Sequence, residues 1–383
     1  MVIDVKKSLS FGLCCQDPFR LFFPIGLLCQ FIGVSHWAFY YWGWLDSYSG
    51  YYHAFVQIQL YETAFVVGFL GMALPRFWES AGPRGGEVIA GLALLLLALL
   101  AALLEQWTLA RVAYFVLLLL FSAFLILRFL RREDNLPPVF SLIALGLFAG
   151  ITGAAMAIWP LSPWVGFGEA LLTQGMLLML LWAVSGYLAP RLLYGERDEA
   201  QTVGSAARRQ RAVLLLFGLS VLGSFCIEMA WSMQWGRLLR AALLSGYLLT
   251  KGFYRLPHRR HAPLYALFFA LWCAPLGTLL SALWTAGQMG ALHVIFLGSF
   301  GLATTVIASR VISAHCDAEE EWSGGGSRLG LVFLLLVLAL LLRLGAEVLP
   351  LYYFAFLHAS ALLWMGGQGL WALRFIPLLR RVE

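Results

Sequence analysis

Apolar runs of about 17 to 25 residues recur along this chain, and that is the length a helix needs to cross a bilayer. Twelve can be placed, at 21–43, 55–75, 88–104, 109–130, 139–159, 168–190, 212–232, 237–253, 264–284, 289–313, 329–349 and 351–376. Folded in water, they would leave more apolar surface than the rest of the chain could cover. Of the 383 residues 61% are hydrophobic and 12% charged, and the mean hydropathy is +0.81. Hydrocarbon offers peptide groups no hydrogen-bond partner, so spans of this kind are helices. The expected fold is all-α: a polytopic membrane protein, a bundle of about twelve transmembrane helices in one integral membrane domain. Residues 1–20 form an N-terminal segment, 21–376 the helices and 377–383 a short tail. Segments 88–104, 237–253 and 329–349 are rich in Leu and read as lipid-facing; those rich in Trp, Tyr, Gly and His read as interior.

Basic residues orient the bundle. Lys6, Lys7 and Arg20 precede the first run, Arg128, Arg131 and Arg132 separate the fourth and fifth, and Arg191, Arg197, Arg208, Arg209 and Arg211 separate the sixth and seventh. Lys251, Arg255, Arg259 and Arg260 follow the eighth, and Arg374, Arg380 and Arg381 end the chain. The alternate loops at 44–54, 160–167, 231–236 and 285–288 carry almost no Lys or Arg. The positive-inside rule then puts both termini in the cytoplasm, with even-numbered helices running inward. The net charge of +6 is accounted for by topology, so nucleic acid is not an expected partner; the lipid bilayer is. The first twenty residues lack the apolar core and small-residue cleavage site of a signal peptide. No soluble domain is expected. Glu196 to Gln210 reads as a polar loop, Ser323-Gly324-Gly325-Gly326-Ser327 as a flexible connector, and no internal repeat stands out.

Imidazoles are the main candidates for chemistry. With this topology His36, His53, His293 and His358, from four different helices, all fall in the outer half of the membrane, while His258, His261 and His315 fall on the inner side. The most telling stretch is 291–315, ALHVIFLGSFGLATTVIASRVISAH, which brackets an apolar run with His293 at one end and Arg310 and His315 at the other. Ionisable groups beside hydrocarbon need partners and mark functional sites. Each histidine taken singly also fits an interfacial, hydrogen-bonded side chain; their convergence favours at least one cofactor or metal ligand.

Neutral imidazole binds haem iron, copper or zinc. The six cysteines form no C-x-x-C, and C-x-x-C-H is absent, which removes the usual zinc spacing and covalent haem attachment. A non-covalent haem b with one axial histidine from each of two helices fits what remains. Trp37, Tyr40, Tyr41, Trp42, Trp44, Tyr51 and Tyr52 read mainly as an interfacial aromatic belt.

Several stretches resemble the NnrS family. Asp17-Pro18-Phe19-Arg20-Leu21-Phe22-Phe23 is similar to its N-terminal PFRPFF signature, and His53 to Pro75, HAFVQIQLYETAFVVGFLGMALP, to its helix-2 motif HAHEMLFGF…GFLLTAVP. Ala291-Leu292-His293, Ser309-Arg310 and Ala314-His315 resemble ALH…TR…GH at the same internal spacing. Ala361-Leu362-Leu363-Trp364 and Arg374-Phe375-Ile376-Pro377 resemble the family's last helix. The resemblance implies a twelve-helix bacterial inner-membrane protein that binds haem and copper and is linked to nitric oxide metabolism, denitrification or nitrosative stress. It carries His53, His293, Arg310 and His315 over from the family's motifs. Where the family has His and Glu in HAHE, this chain has Phe55 and Val56. That change falls on any copper site built from helix 2, and it leaves a haem between His53 and His293 untouched.

The expected site is therefore His53 and His293 as axial and metal ligands, with His36 and His358 as reserve ligands or supporting partners. A histidine pair on helices 2 and 10 is similar to the haem–copper oxidases, but helices 6 and 7 contain no histidine, so an oxidase-type binuclear centre is not expected. Glu169 and Glu228 are candidates to orient a ligand imidazole, and also read as interfacial carboxylates. Met229 and Met233 are candidate copper ligands, though packing is the commoner role. One of Arg111, Arg237, Arg240 and Arg343 is expected to meet haem propionates, while Arg310 pins helix 10 structurally. Two other functions stay open: a secondary transporter, for which Glu62 is the one feature, and a cofactor-free relative acting as an interaction partner. Whether the protein turns over a substrate, and which redox partner it uses, are not legible.

Overall fold

The computed structural model describes residues 10–159, 164–196, 202–323 and 326–382. Among these there is no strand, and twelve long helices follow one another: α1 Phe19–Tyr41, α2 Gly50–Phe77, α3 Gly85–Leu103, α4 Trp107–Leu130, α5 Pro138–Ile158, α6 Val165–Tyr194, α7 Gly204–Ala230, α8 Met233–Thr250, α9 Ala262–Leu283, α10 Gln288–His315, α11 Gly326–Val348 and α12 Tyr353–Phe375. Ten of them are long and apolar enough by composition to cross a membrane. The other two, α8 and α12, pack into the same bundle against α7, α9, α11 and α1. The chain is an all-α, multi-pass membrane protein.

Three helices form the interior. The apolar windows of α2, α6 and α10 are 89%, 78% and 72% buried, and each is the second helix in a successive group of four. That spacing is a structural periodicity where the sequence shows no repeat. Around them, α3, α7 and α11 are the most lipid-exposed of the ten, at 39%, 28% and 44% buried. The Leu-rich reading fits α3 and α11, and α8 also leaves Leu239 and Leu249 exposed on one face while its other face turns Arg237 and Arg240 inward. The polar stretch expected to be a loop also folds further than its composition suggests, because α7 begins at Gly204. Likewise Gly326 and Ser327 open α11 rather than extending a connector. Lys6, Lys7, Arg197, Gly324 and Gly325 lie outside the described residues.

Small residues bring α1 and α2 together. A Cβ at Gly26 would stand 2.8 Å from Phe65, and one at Gly68 would stand 3.0 Å from the Phe19 backbone. Close approach of this kind supplies van der Waals packing where lipid removes the hydrophobic driving force.

The two ends of the bundle differ in chemistry. One end carries His36, His53, His293 and His358 among aromatic rings. The other is tied by buried ion pairs. Arg20 binds Asp17 at 3.1 Å and donates to the carbonyls of His315, Leu379 and Arg381, so the first helix, the end of α10 and the chain's last turn meet on one guanidinium. Arg76 completes the knot through Asp17 at 2.6 Å. Arg128 pairs with Glu87 at 2.6 Å, joining α4 to the start of α3.

Candidate functional site

The site is built where α2 and α10 begin. His53 stands on the first turns of α2 and His293 on those of α10, and each is followed almost at once by widened, π-helical backbone, at Phe55–Glu62 and Val294–Gly301. The third inner helix, α6, has a shorter π stretch at Leu171–Gly175. An extra residue per turn rotates side chains relative to an α-helix, and such stretches concentrate at functional sites. Their composition is ordinary, so no sequence signal announces them.

His53 and His293 lie side by side. Their ring centroids are 6.4 Å apart and their planes differ by 16°. His53 Nδ1 donates to the Gly33 carbonyl of α1 at 3.0 Å, and His293 Nδ1 donates to the Met289 carbonyl one turn earlier at 2.7 Å. Carbonyls can only accept, so both Nδ1 atoms carry the hydrogen in these bonds, which in the neutral ring leaves the Nε2 lone pair free to bind. This is the arrangement by which a protein orients an imidazole for a metal.

The pair borders a cavity of about 260 Å³. Trp37, Ile58, Phe296, Phe300 and Trp364 give it apolar walls, and Gly50 and Gly301 leave room beside them. Arg343 on α11 and Tyr353 on α12 supply polar groups at its rim, with Arg343 Nη1 held by Glu347 at 2.9 Å. Glu62 lies on its lining, where its Oε2 accepts from Thr304 Oγ1 at 2.7 Å.

Neither reserve histidine lines the cavity. His36 Nε2 accepts the Ser49 backbone N–H at 2.8 Å, so its lone pair secures the loop entering α2. His358 stacks on Tyr41 at 4.3 Å and 10°, with Trp42 against its edge, in the aromatic rim. Phe55 and Val56, where the resemblance leads one to expect His and Glu, are fully buried and do not line the cavity. Phe55 packs on Trp107 and Tyr114, and Val56 on Gly33.

The other candidates have partners elsewhere. Glu228 accepts from Arg237 Nε at 2.8 Å and Arg240 Nη2 at 2.5 Å, an ion cluster between α7 and α8 that also takes in Ser224 and Gln174. It orients no imidazole, and those arginines are committed to it. Arg111 binds the Tyr51 hydroxyl at 2.8 Å, and Glu169 is half-buried near it. Of the four arginines considered for propionates, Arg343 is the one on the cavity. Met229 and Met233 are exposed at the α7–α8 turn. Burial pushes the Cys14 and Cys15 thiols above their ordinary range, which suits packing rather than metal binding. Arg310 pairs with Glu319 at 2.5 Å beside Trp322, and His315 belongs to the knot around Arg20 at the far end. Among the described residues no three His, Cys, Asp or Glu side chains gather as a metal site.

Comparison with proteins of curated function finds no match to this sequence. The sequence pattern of the family described as NnrS protein matches residues 14–382, nearly the whole chain. The match takes in both ends of the structure, the Asp17–Arg20 knot and the His53–His293 pair alike, and on that extent the chain belongs to the NnrS family.

Proposed function

We propose that this NnrS protein holds one non-covalent haem b between His53 and His293, near the outer face of a bacterial inner membrane, and serves nitric oxide metabolism or the response to nitrosative stress. Family membership supports the link to nitric oxide in general. The haem reading is carried by one observation, the two near-parallel imidazoles with centroids 6.4 Å apart and both Nδ1 atoms tied to carbonyls. Rings at that spacing, with Nδ1 engaged on both, would let the two Nε2 atoms hold one group between them. Two histidines are an incomplete set for a bare ion and would suit a metal whose remaining donors come with its own macrocycle.

In this reading His53 and His293 hold the group through Nε2, Gly33 and Met289 fix their rotamers, and Arg343 faces an acidic substituent. Haem would supply one-electron redox chemistry, and with both histidines bound nitric oxide would bind only by displacing one of them. Copper is the alternative occupant, favoured by the Met289 side chain on the same cavity.

The test is the reduced-minus-oxidised absorption spectrum of detergent-purified protein, expressed with ample haem, before and after nitric oxide, alongside elemental analysis. Haem b bands that shift with nitric oxide support gas binding, and bands that do not shift support electron transfer. Protein with neither haem nor copper contradicts the proposal.

A further inference from the structure

Glu62 is buried in α2, nine residues beyond His53 and roughly 14 Å along the helix. It lines the histidine cavity and also a second, smaller cavity of about 70 Å³ between α2, α6 and α10, which Phe65, Phe69, Leu181 and Ile307 help to wall. Glu62 and Phe300 are common to both cavities. Among the described residues Glu62 forms no ion pair, and its one side-chain hydrogen bond comes from Thr304.

A polar seam continues past it in an otherwise apolar core. Gln368 Nε2 donates to Thr305 Oγ1 at 3.0 Å, Ser309 Oγ to the Thr305 carbonyl at 2.7 Å, and Trp371 Nε1 to Ser309 Oγ at 2.8 Å. The titratable groups sharing Glu62's two cavities are His53 and Tyr61 on α2, His293 on α10, Arg343 on α11, Tyr353 on α12 and Tyr48 in the loop after α1. From α1 and α6 the smaller cavity is lined by apolar side chains, Phe23 and Leu177 among them. Among the described residues Glu62 is thus the one carboxylate on the cavity lining, and Arg343 on the same lining is already shared with Glu347.

We propose that Glu62 is a redox-linked proton site, taking one proton from water when the cavity's occupant gains one electron from a one-electron reductant, and releasing it on reoxidation. This rests on the haem reading of the cavity. A charge added inside a low-dielectric cavity is poorly screened, and a carboxylate on its wall can offset it by gaining or losing a proton. An ionisable side chain at this depth of a membrane helix is a recurrent part of proton relays.

The experiment is a spectroscopic redox titration of the haem-loaded protein across the neutral pH range, for wild type, Glu62→Gln and Thr304→Val. Wild type is expected to show a tenfold change in the reduction equilibrium per pH unit over part of the range, about 59 mV for a one-electron couple. Glu62→Gln is expected to keep the absorption bands and lose the slope. Thr304→Val, which removes the carboxylate's hydrogen bond, is expected to keep the slope and move the pH at which it sets in. A flat wild type, a slope that survives Glu62→Gln, or an onset unmoved by Thr304→Val overturns the role of Glu62 while leaving the haem site standing. Wild type without haem overturns both.

Discussion

The carbonyl of Gly33 accepts from His53 Nδ1 at 3.0 Å, and the missing side chain of Gly33 is what lets α2 come close enough for that bond. A Cβ at position 33 would stand 2.6 Å from Gln57 Nε2 and 3.0 Å from Val56 Cγ1, and Val56 is a stiff, fully buried neighbour. Gly33→Val is therefore expected to destabilise the protein by about 1–3 kcal/mol through overpacking and to release His53 from its orientation. Thermal unfolding in detergent reads the first effect and haem content the second. Unchanged values in both would contradict this role for Gly33.

Arg20 tests the opposite end of the bundle. Its guanidinium satisfies Asp17 and three main-chain carbonyls while itself buried, so Arg20→Ala strands a carboxylate that keeps only the half-exposed Arg76. Loss of one partner of a buried pair costs about 3–5 kcal/mol. A large fall in folded yield and melting temperature is expected, with the spectrum of any surviving folded protein unaltered, because the histidine pair lies at the far end of the membrane.

Arg343 distinguishes an acidic haem edge from a plain apolar pocket. Arg343→Gln keeps a polar side chain at the cavity rim and removes the charge. Weaker haem retention on prolonged washing is expected, with band positions unchanged because the axial ligands remain. Retention equal to wild type would remove Arg343 from the site.

His261, at the head of α9 outside the membrane-spanning segments, gives a pH prediction. Burial, aided by the nearby Arg259 charge, holds its imidazole below the ordinary range, against a backbone hydrogen bond at Trp322 that acts the other way. The folded state then prefers the neutral ring, and the unfolded chain binds the extra proton first as pH falls. Its contribution is complete above about pH 6.5 and is lost as pH drops below that. Melting temperature measured against pH should fall less steeply on the acid side in His261→Gln than in wild type.

Much of this was legible in the residues, for reasons that differ by feature. Each of the twelve apolar runs overlaps one of the twelve long helices, since a span's length and composition are set by the bilayer and not by its neighbours. His53 and His293 stood out because imidazole in an apolar run is costly, and the structure brings those two together. Composition could not show which face of a helix a residue occupies. That is why the Leu-rich run 237–253 gives no sign of the buried face on which Arg237 and Arg240 lie, and why Glu228 reads as a partner for histidine when its arginines come from the next helix. The widened turns after His53 and His293 depend on packing among α2, α6 and α10, and no local residue pattern encodes them. Glu62 was visible as a charge, but its neighbour Thr304 lies 242 positions away in the chain.

The central claim, that His53 and His293 together hold one haem, is tested most directly by the haem-to-protein ratio of four single variants, His53→Ala, His293→Ala, His36→Ala and His358→Ala, each confirmed folded by its elution profile in detergent. The expected result is loss of haem, or conversion to a shifted spectrum, in the first two, and wild-type ratios and bands in the last two. Full haem with unaltered bands in either His53→Ala or His293→Ala would contradict it.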